Sequence, residues 1–140
     1  MGQPRRVPIR WRDLDGFGHV NNAVYLTYAE EARDAFFKAL LDRATVERLV
    51  LRRVEADYLS PLRQEDGAVC VEVRLQRIGS SSIVTSERIV AQSDGRLAAS
   101  LTSVAVHTSE RAEAAEPLPP AARALLEAEL AAAGAGATGR

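Results

Sequence analysis

The stretch Ile9–Leu41 constrains this chain more than any other, because it sets a cluster of turn-forming, chemically active residues directly against a long apolar helix candidate. Its centre reads Asp13-Leu14-Asp15-Gly16-Phe17-Gly18-His19-Val20-Asn21-Asn22-Ala23-Val24-Tyr25. Upstream, Val7, Ile9 and Trp11 alternate with Pro8, Arg10 and Arg12, a period of two that predicts a strand with its odd positions facing the core. Continued extension would aim Asp13 and Asp15 inward as well, which is costly unless a partner or a function compensates. The alternative is a surface turn in which they pair with Arg10 or Arg12. Gly16 and Gly18 permit backbone conformations closed to other residues, and Asn21 or Asn22 suits the cap of a helix beginning near Ala23. Strand, polar loop and helix start together bring these side chains to unpaired backbone N–H groups and partial positive charge, the outline of an anion or carbonyl site.

From Val24 to Leu41, the residues Tyr25, Ala29, Ala32, Phe36 and Ala39 or Leu40 form one stripe at helical spacing, and Leu26, Phe37 and Leu41 widen it. Such a helix is expected to be wrapped by other elements. Glu30, Glu31, Arg33, Asp34 and Lys38 share the remaining narrow face, where pairs three or four residues apart can form. A single small sheet would leave Phe36, Phe37 or Leu41 partly bare, which predicts a homodimer at least.

Beyond the helix, Asp42–Glu47 reads as a polar connection. Leu49, Leu51, Val54, Ala56 and Tyr58 predict a strand with an irregularity near Arg52-Arg53, ended by Ser60-Pro61. Val69, Val71, Val73 and Leu75 carry the cleanest alternation, followed by strands over Ser82–Ala91 and Leu97–His107 with turns at Gly79-Ser80-Ser81 and Ser93-Asp94-Gly95. Strands joined by turns this short are antiparallel, so the fold class is α+β: one strand, one buried helix, then about four antiparallel strands. Residues 1–108 form the main domain. Residues 109–140 read as a linker, a short helix over Pro120–Ala133 that begins with proline and carries Leu125, Leu126 and Leu130, and a flexible tail from Gly134.

Charge and composition exclude several classes of function. With 140 residues, 18 basic against 19 acidic and a net charge of −1, the chain has no global field for nucleic acid or an anionic membrane. Cys70 is the single cysteine, so an internal disulfide and a cysteine-rich zinc site are excluded, and neither His19 nor His107 has neighbouring ligands for a metal. Residues Met1–Arg6 carry two arginines without a following apolar run, and no segment is long enough to span a bilayer. A cytoplasmic protein without a cofactor is expected.

Taken as a set, Asp15-x-x-Gly18, Tyr25 at the head of the helix, and Glu30 with Ala32-Arg33 resemble the hydroxybenzoyl-CoA thioesterase family of hotdog-fold proteins, in particular its acyl-CoA thioesterase branch. His19-Val20-Asn21-Asn22 is similar to the corresponding segment of the plant-type acyl-carrier-protein thioesterases of the same fold. The resemblance implies an antiparallel sheet wrapped around a long central helix, a homodimer or homotetramer with sites between protomers, and thioester hydrolysis. It implies Asp15 as nucleophile or general base, His19 and Asn21 as polar helpers, and the backbone N–H groups of Asn22, Ala23 and Val24 as an oxyanion hole. Gly18 and Tyr25 are expected against the substrate. Coenzyme A, as part of an acyl-CoA substrate rather than a cofactor, calls for cations and donors at the mouth, for which Arg53, Arg63, Arg77 and Ser81 are candidates.

Three readings follow from these residues. An acyl-CoA thioesterase releases free thiol and loses that activity in Asp15→Asn. A hotdog dehydratase or hydratase would use His19 with a carboxylate and leave the thioester intact. A non-catalytic acyl-CoA-binding dimer would bind and turn nothing over.

Overall fold

The computed structural model describes the backbone of residues 3–138 and the side chains of residues 3–134. In chain order the elements are β1 (Arg5–Pro8), α1 (Asn22–Leu40), α2 (Arg43–Val46), β2 (Leu49–Tyr58), β3 (Ala68–Ile78), β4 (Ser82–Ala91), β5 (Leu97–His107) and α3 (Pro120–Thr138). Single 3-10 turns lie at Trp11–Asp13 and Gln64–Asp66. The five strands form one antiparallel sheet in the order β1-β3-β4-β5-β2.

The period-two signal is realised in β3, where Val69, Val71 and Leu75 are buried, and β4 and β5 have the expected limits. The irregularity near Arg52-Arg53 is a register shift between Leu51 and Arg53. Although β2 and β3 are consecutive in the chain, they do not pair. β2 lies at one edge against β5, and residues 59–67 carry the chain across the sheet to β3, roughly 14 Å away at the usual strand spacing. The alternation expected at Val7, Ile9 and Trp11 holds for the first two only. After Pro8 the chain leaves the sheet for a 3-10 turn, and Trp11 is 81% exposed.

α1 runs for 19 residues over β1, β3 and β4, with Tyr25, Tyr28, Ala29, Ala32, Arg33 and Phe37 buried. It is buried along one side rather than all round, and Leu26 is 40% exposed. Arg33 does not pair within the helix: its Nη1 donates to Glu87 Oε1 of β4 at 2.6 Å and to Ser103 Oγ of β5 at 3.2 Å, all three residues buried. Asp34 and Lys38 form the surface pair at a spacing of four, 2.7 Å apart.

Phe37 and Leu41 are not left bare. Together with Leu75, Ile83 and Ala105 they pack against Leu118, Ala122 and Leu126, so α3 and the residues before it close the end of the core that α1 leaves open. Phe36 is half-buried beside them. Leu118 N–H and the Arg123 guanidinium bond the Ser80 carbonyl at 2.9 and 3.0 Å, fastening α3 to the β3–β4 turn. The helix continues past Ala133 to Thr138, through the start of the segment expected to be a flexible tail; of that expectation, Gly139 and Arg140 lie outside the described residues.

Candidate active site

The loop between β1 and α1 closes on itself. Leu14 bridges Val20 as a short antiparallel pair, Asp15 N–H donates to the His19 carbonyl at 2.7 Å, and Asn21 N–H donates to the Asp13 carbonyl at 2.8 Å. At its tip Gly18 has φ +82°, a left-handed conformation that favours glycine. Val20 N–H donates to the Leu62 carbonyl at 2.7 Å and His19 bridges Arg63, so the loop is docked on the segment after β2.

The two aspartates separate by environment. Asp13 is buried and its Oδ2 accepts from Tyr28 Oη at 2.6 Å and from Arg10 N–H at 2.9 Å, so it is compensated without a guanidinium; the Arg10 side chain reaches Glu31 instead. Asp15 is half-buried. Its Oδ1 accepts from Phe17 N–H at 2.8 Å and His19 N–H at 3.1 Å, which orients the carboxylate and leaves Oδ2 without a partner among the described residues.

That carboxylate lines an open cavity of about 450 Å³ with His19, Asn22 and Tyr25 on one side and Tyr58, Leu59, Ser60 and Pro61 on the other. Tyr58 Oη donates to the Asn22 carbonyl at 3.0 Å, and its ring meets Tyr25 edge-on with centroids 5.2 Å apart. Tyr25 Oη donates to the Ser60 carbonyl at 3.3 Å and accepts from Leu62 N–H at 3.1 Å. Burial raises the Tyr25 phenol above its ordinary value, against the lowering effect of the Leu62 N–H. A larger hollow of about 540 Å³ lies between α1, β1 and β3, floored by Ala32, Ala35, Phe36 and Val71, and it contains none of the loop's polar groups.

Several expected site residues take other roles. Asn21 is the N-cap of α1: its Oδ1 accepts from Ala23 N–H at 3.0 Å and its carbonyl accepts from Val24 N–H at 2.9 Å. Two of the three expected oxyanion donors, Ala23 and Val24, are therefore spent, and Asn22 N–H is the one without an acceptor among the described residues. Arg63 is exposed beside the loop through its bridge to His19. Arg77 and Ser81 lie at the far end of β3, about 30 Å along the strand from Ala68 at the usual rise, so the chain does not bring them to its own Asp15. Arg53, in the middle of β2, pairs with Glu55. No cluster of three or more His, Cys, Asp or Glu placed to hold a metal occurs among the described residues.

Sequence reasoning missed the opposite wall. Tyr58 was legible as the end of an alternating strand, but Ser60-Pro61 signalled only a chain break; nothing local says that this break faces Asp15. Arg96 was likewise invisible as a partner of that wall, which its guanidinium bonds at Ser60 Oγ and the Pro61 carbonyl, both at 2.8 Å.

An antiparallel sheet crossed by one long helix, with a carboxylate-bearing loop and an open cavity at that helix's start, defines a small α+β protein. Residues 9–126 match the model of the thioesterase-like superfamily, and the chain belongs to that family. Among solved structures it is similar to a thioesterase from Thermus thermophilus complexed with coenzyme A and Zn, at 36% identity and TM-score 0.81, covering 92% of this chain and 95% of that one. It is also similar to a protein from Bacillus stearothermophilus solved as a predicted thioesterase, at 27% identity and TM-score 0.80, covering 91% of this chain and 96% of that one. A chloroplastic acyl-acyl carrier protein thioesterase of Arabidopsis thaliana is 33% identical over 90 residues, 59% of this chain and 47% of that protein. The chain spans about half the length of the curated relatives it matches. No helix among the described residues is long and apolar enough to cross a membrane.

Proposed function

We propose that the chain is a cytoplasmic acyl-CoA thioesterase with a hotdog fold, its sheet curved around α1, acting as a homodimer or larger homo-oligomer. The observation that carries this reading is Asp15: one carboxylate oxygen is held by two loop N–H groups, the other has no partner among the described residues, and the residue lines a cavity at the start of α1. A thioester carbonyl seated there would have its oxygen near Asn22 N–H and the positive end of the helix, which stabilises charge as it develops. Either Asp15 Oδ2 takes a proton from a water that attacks the carbonyl carbon, or it attacks that carbon itself and forms an anhydride that water then cleaves; in both routes the thiolate of coenzyme A departs and the free acid is released. The family match and the likeness to a coenzyme A-bound thioesterase support the reaction class. The edge strand β2, with Val50 and Leu51 exposed, supports pairing of sheets between protomers.

His19 lines the same cavity and favours a second reading, hydration or dehydration of an acyl thioester. A thiol-release assay over short, medium, long and aromatic acyl-CoAs, on wild type and Asp15→Asn together, separates the two. Hydrolysis frees thiol in the wild type alone. Altered unsaturation with the thioester intact selects the second reading, and binding without turnover of any substrate rejects both.

A further inference from the structure

We propose that Arg96 is a positioning residue for the thioester site: it holds the Ser60–Pro61 wall at a set separation from the Asp15 loop without itself lining the cavity. The inference rests on the thioesterase reading of that cavity. Arg96 stands just before β5, after the Ser93-Asp94-Gly95 turn, and its guanidinium joins three separate segments. Nε donates to Ser60 Oγ and Nη2 to the Pro61 carbonyl, both at 2.8 Å. Nη1 and Nη2 grip Asp66 end-on at 3.0 and 2.8 Å, and Nη1 also reaches Asp94 at 3.0 Å. All three nitrogens are engaged, a planar fork that a lysine ammonium cannot reproduce.

The contacts propagate to both sides of the cavity. Asp66 accepts from Arg63 N–H at 2.8 Å, and Arg63 bridges His19 on the Asp15 loop. Ser60, held through its hydroxyl, offers its carbonyl to Tyr25 Oη, which in turn accepts Leu62 N–H. Leu62 accepts Val20 N–H. Wall, loop and first turn of α1 are thus registered against one another through a side chain that touches neither Asp15 nor Asn22. Reactive geometry is sensitive to displacements of an ångström or less, so loosening this clamp reaches the chemistry even though the fold remains.

A purely structural staple would predict no more than lost stability. Arg123 supplies the control, since it bonds the Gly79 and Ser80 carbonyls at the far end of the sheet. Wild type, Arg96→Lys, Arg96→Ala and Arg123→Ala are compared by melting temperature, by kcat and KM for a cleaved acyl-CoA, and by amide hydrogen exchange. Arg96 variants are expected to lose about tenfold to a hundredfold in kcat/KM, with part regained by Arg96→Ala on adding ethylguanidinium. Arg123→Ala is expected to melt lower yet stay within about twofold of wild type in kcat/KM. Exchange at Val20 and Leu62 should quicken in the Arg96 variants and stay unchanged in Arg123→Ala. Wild-type kcat/KM in both Arg96 variants, or losses no larger than that of Arg123→Ala, overturns the proposal. If the wild type cleaves no thioester, the activity reading fails by itself, and unchanged exchange at Val20 and Leu62 in Arg96→Lys is then what rejects the clamp.

Discussion

The Tyr28 hydroxyl donates to Asp13 Oδ2 at 2.6 Å inside the core, where Tyr28 is fully buried and Asp13 nearly so. The same oxygen takes Arg10 N–H, and the Asp13 carbonyl takes Asn21 N–H. One buried acid therefore ties the segment after β1, the cap of α1 and the second turn of that helix together. Asp13 is committed to holding the loop, whereas Asp15 lies on the open side and lines the cavity, as the proposed function requires.

Removing that hydroxyl in Tyr28→Phe leaves a buried carboxylate oxygen with one donor fewer, at an expected cost of about 1–3 kcal/mol in urea unfolding. Burial, followed by the Asp13 hydrogen bond, pushes the Tyr28 phenol well above its ordinary value. A raised folded value means that the native state holds this proton more tightly than the unfolded chain does. Its contribution is fully present below pH ~10 and declines as pH climbs from there toward the folded value. The urea midpoint of the wild type should therefore fall more steeply above pH ~10 than that of Tyr28→Phe; parallel curves would contradict the assignment.

Asp15→Asn keeps an Oδ1 acceptor for Phe17 and His19 N–H, so the loop should hold and the melting temperature stay close to that of the wild type. The substitution removes the charged Oδ2. Thiol release is expected to fall by a factor of about 10² to 10⁴, the range of a lost general base. A melt that drops as sharply as activity does would show that the residue serves the fold instead.

Arg33 and Glu87 are both buried and 2.6 Å apart, so deleting one partner strands the other. Arg33→Met should cost about 3–5 kcal/mol, and Arg33→Met combined with Glu87→Leu should recover much of it. Chemical denaturation of the two single variants and the double variant measures the coupling. Additive losses would mean the pair is not coupled.

The Arg96 guanidinium holds the Asp66 carboxyl well below the usual carboxylate range, against the opposing effect of burial and with help from Ser93. A depressed folded value contributes stability that is fully present above pH ~4 and declines as pH falls from there toward the folded value. Melting temperature followed from pH 6 to 2 should decline less steeply in Asp66→Asn than in the wild type. Identical acid limbs would show that another carboxylate governs the transition.

Local signals account for much of what could be read in advance. Alternation marked β3, turn chemistry bounded β4 and β5, and the asparagine-rich junction placed the start of α1, because each depends on neighbours a few residues away. The strand-loop-helix arrangement that holds Asp15 was visible for the same reason. Which aspartate turns inward was not, since it depends on Tyr28 arriving from α1. Nor did spacing reveal that Arg33 answers Glu87 on β4, that Arg77 and Ser81 sit at the opposite end of the sheet from the loop, or that α3 covers Phe37 and Leu41. Those outcomes belong to contacts between residues far apart in the chain, where sheet order and helix packing select the partner and no pattern within a single segment encodes the choice.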